Sequence, residues 1–210
     1  MDGSKTYHVK LATEEDSEQI WEYTKKFFFP DEPLFQFLGL DQCISKDSFP
    51  TGGEERFSFI IAVDAYCNII AICKIKLIKR DDPEVNLKSD NPKLQKIFDF
   101  IHYIDKEGDL FRKYPNVDQV LQVMRLSVDT SWRRRGVAQN LIMKVREIAS
   151  NLDVPLIRME CSSYYSAQLA LKMNFQCVYK KPYEEYLEHG KPIFSPEYPH
   201  KELGVYVYIM

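Results

Sequence analysis

Leu126-Ser127-Val128-Asp129-Thr130-Ser131-Trp132-Arg133-Arg134-Arg135-Gly136-Val137-Ala138-Gln139-Asn140 is the stretch of this 210-residue chain whose reading decides the fold. Residues 120–128 form an apolar run of strand character, while Val137, Leu141, Ile142, Val145, Ile148 and Ala149 recur at helical spacing. The order is strand, basic turn, helix. A helix that opens at Gly136 has backbone N–H groups without intrahelical partners, and these donors together with the helix dipole favour an anion. Gly136 removes a side chain that would block a phosphate, Ala138 is small for the same reason, and Arg133, Arg134 and Arg135 add positive charge. An isolated Arg-rich turn reads as solvated surface. The Gly-x-Ala opening an amphipathic helix behind an apolar strand argues instead for a grip on a diphosphate. A Walker A loop needs Gly-Lys-Ser/Thr at the helix start and a dinucleotide fingerprint needs Gly-x-Gly-x-x-Gly, and neither is present.

Outward from this turn, the pattern is that of one α/β domain over 1–210. Residues 8–13 alternate as a half-buried strand, and Thr13-Glu14-Glu15-Asp16 resembles a capping box before a helix carrying Ile20, Tyr23, Thr24 and Phe27. Pro30 and Pro33 stop that helix, and a short apolar helix is expected over 34–40. Ser48-Phe49-Pro50-Thr51-Gly52-Gly53 reads as a loop. Two strands, 57–63 and 69–78, form an antiparallel hairpin across a short polar link. The segment 81–92 is a polar loop, and Leu94, Ile97, Phe98, Ile101, Ile104 and Leu110 form a helical stripe. Further strands are expected at 155–160, 175–179 and 205–210. A short helix over 165–172 ends near Asn174, which can serve as a left-handed cap.

The formal net charge of −3 argues against a nucleic-acid binder, which needs a basic excess. No apolar run approaches the ~20 residues of a membrane span. The start of the chain shows no apolar signal region, so the expected location is the cytoplasm. Cys43, Cys67, Cys73, Cys161 and Cys177 show neither CxxC nor zinc spacing and are expected to be buried thiols, with no metal site. No exposed apolar heptad suggests pairing, so a monomer is expected.

Arg133-x-x-Gly136-x-Ala138 after Leu126-Ser127-Val128-Asp129 resembles the acetyl-CoA signature of the GNAT N-acetyltransferase superfamily. Asp31-Glu32-Pro33-Leu34, Cys161-Ser162-Ser163-Tyr164-Tyr165-Ser166-Ala167, Met173-Asn174-Phe175 and Pro199-His200 resemble the insect arylalkylamine N-acetyltransferases. The resemblance spans essentially the whole chain. It implies a GNAT fold, with a central mixed, mostly antiparallel, twisted sheet of about seven strands flanked by helices. It implies acetyl-CoA as cosubstrate, held at its pyrophosphate by Arg134, Arg135, Gly136, Val137, Ala138, Gln139 and Asn140 beside Arg133. Leu126, Ser127 and Val128 would pair with pantetheine, the Val128 amide polarising the thioester carbonyl.

The same resemblance makes Glu32 the general base, with Ser162 and Ser166 as partners that order a water and pass a proton. A base is needed because an alkylamine with a lysine-like pKa of ~10.4 is free base in only about one molecule in 10³ at pH 7. Read without the resemblance, Glu32 is a surface glutamate in a proline turn, and Ser162 or Ser163 is a helix N-cap. Many GNAT enzymes place a tyrosine acid where this chain has Ala170 and Leu171, and Tyr164 and Tyr165 are the neighbours that could replace it. Phe28, Phe29, Phe35 and Phe37 flank Glu32 as candidates for an amine pocket. Cys161 as an acyl-carrying nucleophile is the competing chemistry. The expected acceptor is a small arylalkylamine. The alternatives are a polyamine, histamine, a hydrazine-like amine or a protein amine, or an acyl-CoA-binding module without catalysis. A protein-recognition role for 81–115 is also open.

Overall fold

A computed structural model of the chain describes residues 6–40, 44, 57–84 and 87–210. Cys43 and the expected 48–53 loop lie outside the described residues. Nine strands occur among those described: β1 Tyr7–Leu11, β2 Phe57–Asp64, β3 Ile69–Lys79, β4 Gln119–Val128, β5 Leu156–Cys161, β6 Gln176–Pro182, β7 Leu187–Glu188, β8 Lys191–Pro192 and β9 Glu202–Ile209. Seven of them form one sheet in the order β1-β2-β3-β4-β5-β9-β6, and β7 and β8 make a small separate hairpin that the sequence pattern did not announce. Only the β4–β5 pair is parallel.

Each helix buries one face on this sheet. On one side α5 (Val137–Asn151) packs Val137, Leu141, Ile142, Val145 and Ala149 against Ile60, Cys73, Leu121 and Val123, joined by Ala170 of α6 (Tyr164–Lys172). On the other side α1 (Ser17–Tyr23) covers Ile61, Val63 and Ile72 with Ile20 and Tyr23. Beside it, α2 (Pro33–Leu38) and α3 (Pro92–Glu107) share a second core with Tyr183, Phe194 and Val205. The expected stripe to Leu110 breaks at Gly108, so Leu110 starts its own short helix α4 (Leu110–Lys113). The 81–115 segment that left a recognition role open spends Leu94, Ile97, Phe98, Phe100 and Ile104 on the core.

The first helix also ends differently. Thr24 is buried, and its hydroxyl donates to the Ile20 carbonyl at 2.7 Å. That contact competes for a helical acceptor, and the chain opens into a wider π turn over Thr24–Phe28, then a 3₁₀ turn over Phe29–Asp31. The Thr13–Asp16 capping box is present: the Asp16 carboxylate accepts from the Thr13 amide at 2.8 Å. Asn174 does adopt the left-handed conformation, with φ 60°.

The feature that positions the site is a fork. β4 and β5 pair only over Leu121↔Ile157, Gln122↔Arg158 and Val123↔Met159. On its other edge β4 pairs with β3 from Gln119 to Val128, and the register skips Met124, between Arg125 and Val123. A bulge of this kind bends and twists the strand that carries it. Beyond it β4 leaves β5, which runs on to Cys161 beside β9. The cysteine expectation is corrected here. Cys73 and Cys161 are buried, but Cys67 and Cys177 are exposed, one in the β2–β3 turn and one on β6, which forms the outer edge of the sheet.

Candidate active site

The β4 prong carries the sequence-predicted donor residues together. Leu126 and Val128 pack on the α5 core, while Ser127 turns to the other face, its hydroxyl 3.4 Å from the Tyr23 phenol. The Asp129 amide donates to the Ile70 carbonyl of β3 at 2.9 Å. Alternation along a strand therefore turns the Val128 N–H toward the open side of the fork. Asp129 caps a short 3₁₀ turn, Thr130–Trp132, through the Ser131 amide at 2.8 Å.

The phosphate turn follows. Arg134 at φ 61° and Gly136 at φ 78° both take the left-handed conformation, which reverses the chain tightly into α5. For Gly136 this conformation is available without steric cost, whereas Arg134 stores roughly 1 kcal/mol or more there. No side chain caps the α5 amides at Gly136. In front of them is a cavity of about 190 Å³, lined by Val128, Arg133, Arg134, Gly136, Ala138 and Gln139, and by Leu169 and Lys172 of α6. A sequence reading centred on the turn could not reveal these two α6 residues. Val137 is buried under α6, Arg135 lies over the Trp132 ring at 5.9 Å, and Asn140 donates to the Tyr7 hydroxyl at 2.6 Å. Arg133 departs from its neighbours. Its Nη2 pairs with the Asp31 carboxylate and its Nε donates to the Val128 carbonyl at 3.1 Å.

Glu32 is no surface residue. It is 9% exposed and caps α2, one carboxylate oxygen accepting from the Leu34 amide at 2.8 Å and the Phe35 amide at 2.9 Å. Burial pushes its carboxyl above the usual range, while hydrogen bonds from the Ser162 side chain and the two amides hold it back. Glu32 and Ser162, 130 positions apart in sequence, thus lie side by side at the tip of the β5 prong. Ser162 is itself held from behind, because the Tyr183 phenol donates to its carbonyl at 2.6 Å. Tyr183 is buried among Phe100 and Phe194, and the nearby Glu32 charge adds to the burial that raises its pKa. Only tertiary packing brings this residue to the site, and the sequence offered no signal for it.

The serine roles separate. Ser163, not Ser162, is the α6 N-cap and accepts from the Ser166 amide at 3.1 Å. Ser166 turns to Ser163, with its hydroxyl 2.9 Å from that carbonyl and 3.0 Å from the Ser163 hydroxyl. Cys161 is 1% exposed, and burial pushes its thiol up to about 12. About one molecule in 10⁵ is thiolate at pH 7 under that shift, which disfavours the acyl-enzyme route. Of the expected pocket aromatics, Phe29 and Phe35 stack at 5.3 Å within the core, Phe28 is half-buried and Phe37 is 42% exposed on the far side of its helix. Tyr164 and Tyr165 stand exposed near His200, whose Nδ1 accepts from the Tyr164 amide at 3.2 Å.

This architecture recurs among solved structures. The chain superposes on arylalkylamine N-acetyltransferase 2 from Aedes aegypti with a TM-score of 0.84 at 20% identity, covering 97% of this chain and 99% of that one. The GNAT fold is this chain's fold. It also matches the Drosophila melanogaster polyamine N-acetyltransferase that forms N-acetylagmatine, with a TM-score of 0.79 at 21% identity, covering 98% and 100%. A more distant GNAT match is Arabidopsis thaliana NAA60 in complex with acetyl-CoA, with a TM-score of 0.57 at 18% identity, covering 98% and 99%. No protein-family model matches the sequence. Among the described residues, no group of three or more His, Cys, Asp or Glu could hold a metal ion, and no helix is long and apolar enough to cross a membrane.

Proposed function

We propose that this chain is an acetyl-CoA-dependent N-acetyltransferase acting on a small primary amine, with Glu32 as the proton acceptor. The observation that carries this reading is a buried carboxylate of raised pKa, capping α2 beside Ser162 at the mouth of a strand fork whose other prong leads into an uncapped helix start. The amides at the start of α5, with Arg134 and Lys172 at the cavity, would hold the CoA pyrophosphate. Pantetheine would add to the open edge of β4. The ammonium of the acceptor gives its proton to Glu32, directly or through the Ser162 hydroxyl. The freed nitrogen attacks the thioester carbon, and the Val128 amide stabilises the oxyanion. The C–S bond then breaks. A thiol of ordinary pKa, ~8.5, leaves acceptably as the thiolate, which takes up the second proton lost by the former amine nitrogen, passed through water.

An arylalkylamine acceptor is favoured over a polyamine by the Phe28 side of the connector, where basic residues of β3 and β4 form the adjoining wall. Lys74 and Arg125 are cross-strand partners, and Arg125 lies 5.3 Å from the Phe28 ring centroid. Burial, then the like charges of Arg125 and Lys76, lower the Lys74 pKa to about 8, so the wall resists further positive charge. The aromatic faces suit an aryl tail. Free-thiol release from acetyl-CoA with dopamine, serotonin, tryptamine, histamine, spermidine, agmatine and a peptide tests both levels. Turnover should be greatest on an arylalkylamine. Preference for spermidine or agmatine would overturn the acceptor assignment, and CoA binding without turnover on any amine would leave only a binding module.

A further inference from the structure

The connector between α1 and α2 straddles the fork and touches both prongs. On the β5 side, Glu32 lies beside Ser162, whose carbonyl accepts from the Tyr183 phenol at 2.6 Å. On the β4 side, Arg133 pairs with Asp31 while holding the Val128 carbonyl, and Arg125 lies over the Phe28 and Phe29 rings at 5.3 and 5.9 Å. We propose that Arg133 is a positioning residue for the acceptor half, coupling occupancy of the phosphate turn to the placement of Glu32 through Asp31. The proposal rests on the reading of the turn as the CoA site and of Glu32 as the base.

The coupling follows from covalent stiffness. Asp31 and Glu32 are adjacent and enclosed by Pro30 and Pro33. Proline fixes its own φ and restricts the residue before it, so a displacement at Asp31 is passed to Glu32 rather than absorbed. At the other end, Arg133 immediately precedes the left-handed Arg134, and a diphosphate held by the turn fixes that backbone and with it the guanidinium. Arg133 and Asp31 are 46% and 42% exposed, so their attraction adds little to fold stability. What the pair contributes is geometry at the reacting end. Arg133 and Arg134 both line the cavity, and Arg133 is the one that pairs with Asp31.

Calorimetric titration with CoA and amide hydrogen exchange of the Leu34 and Phe35 N–H groups test this on the full chain, for wild type, Asp31→Asn, Arg133→Ala and Arg133→Lys. In the wild type, CoA should slow exchange of those two amides by about fivefold or more. Asp31→Asn and Arg133→Ala should each abolish that response while changing the CoA Kd by less than about threefold. Both should lower kcat/KM for the amine by about tenfold, with Arg133→Lys recovering part of it. A CoA response that persists in both variants overturns the proposal. So does a large loss of CoA affinity in Arg133→Ala but not in Asp31→Asn, which would make Arg133 a phosphate ligand. Failure of the wild type to bind CoA sinks the donor reading itself, whereas binding without any linked protection sinks the coupling alone.

Discussion

The phosphate turn and the acceptor connector face one another across the same fork, yet they are built from different materials. The turn is backbone from one continuous stretch, 126–140, and the groups proposed to recognise the donor are N–H donors set by two left-handed residues and a helix start. The acceptor side is made of side chains from three separate segments: Glu32 at a helix cap, Ser162 after β5, and Tyr183 after β6. A backbone site tolerates changes in most of its side chains and fails where the backbone itself must come close to the ligand. A side-chain site fails residue by residue, and each failure changes a proton as well as a contact.

That contrast can be broken most sharply at Gly136. A Cβ there meets nothing nearer than the Gln139 side chain at 3.8 Å, so the glycine is not needed for packing. Gly136→Glu places a carboxylate in the phosphate cavity on a left-handed backbone, and acetyl-CoA binding should be lost, by about 100-fold or more in Kd. Retained affinity in a calorimetric titration would remove the donor assignment. The melting temperature should move by only a few degrees, for a strain of about 1 kcal/mol.

Glu32→Gln should leave acetyl-CoA affinity intact and lower kcat by about 10² to 10⁴ at neutral pH. The base must be ionised to work and its pKa is raised, so wild-type kcat/KM should fall as pH drops through a window above the ordinary carboxylate range. The variant should lose that limb, its deficit easing as pH rises and the amine deprotonates unaided. An unchanged pH–rate profile would rule Glu32 out as the base. Stability moves the opposite way. A folded pKa above the unfolded one favours the protonated form, so wild-type stability declines as pH rises through the same window. Gln keeps an acceptor for the Leu34 and Phe35 amides, so the variant should melt higher than wild type at pH 8.

The smallest effect sharpens the comparison. Tyr183→Phe removes the bond to the Ser162 carbonyl, leaving a part-buried acceptor unpaired at a cost of about 1–3 kcal/mol in stability. If Tyr183 places Ser162 against Glu32, kcat should also fall by about tenfold and the acid limb should shift, with acetyl-CoA Kd unchanged. Loss of melting temperature alone, with an unmoved pH profile, would confine Tyr183 to packing.

Much of this architecture was legible because its signals are local. The strand periods, the Thr13–Asp16 box, the proline stop and the left-handed Asn174 depend on neighbours within a few residues. The same locality explains the misses. The helix break at Gly108 follows how α3 and α4 pack, the exposure of Cys67 and Cys177 follows a turn and a sheet edge, and the separate duties of Ser162, Ser163 and Ser166 follow which hydroxyl meets a distant carboxylate.

By itself the sequence determined the strand–turn–helix proposed to hold the phosphates, since backbone donors, a glycine and a helix start are all written within one short stretch. Glu32 became a candidate through the resemblance of its Asp31-Glu32-Pro33-Leu34 segment, since read alone it is a glutamate in a proline turn. Only the tertiary structure decided that Glu32 is buried beside Ser162, that Tyr183 stands behind that serine, and that Arg133 reaches from the cavity to Asp31. The reason is physical. Hydrogen-bonded backbone geometry depends on adjacent dihedrals, whereas the protonation and aim of a side chain depend on which remote groups displace water around it.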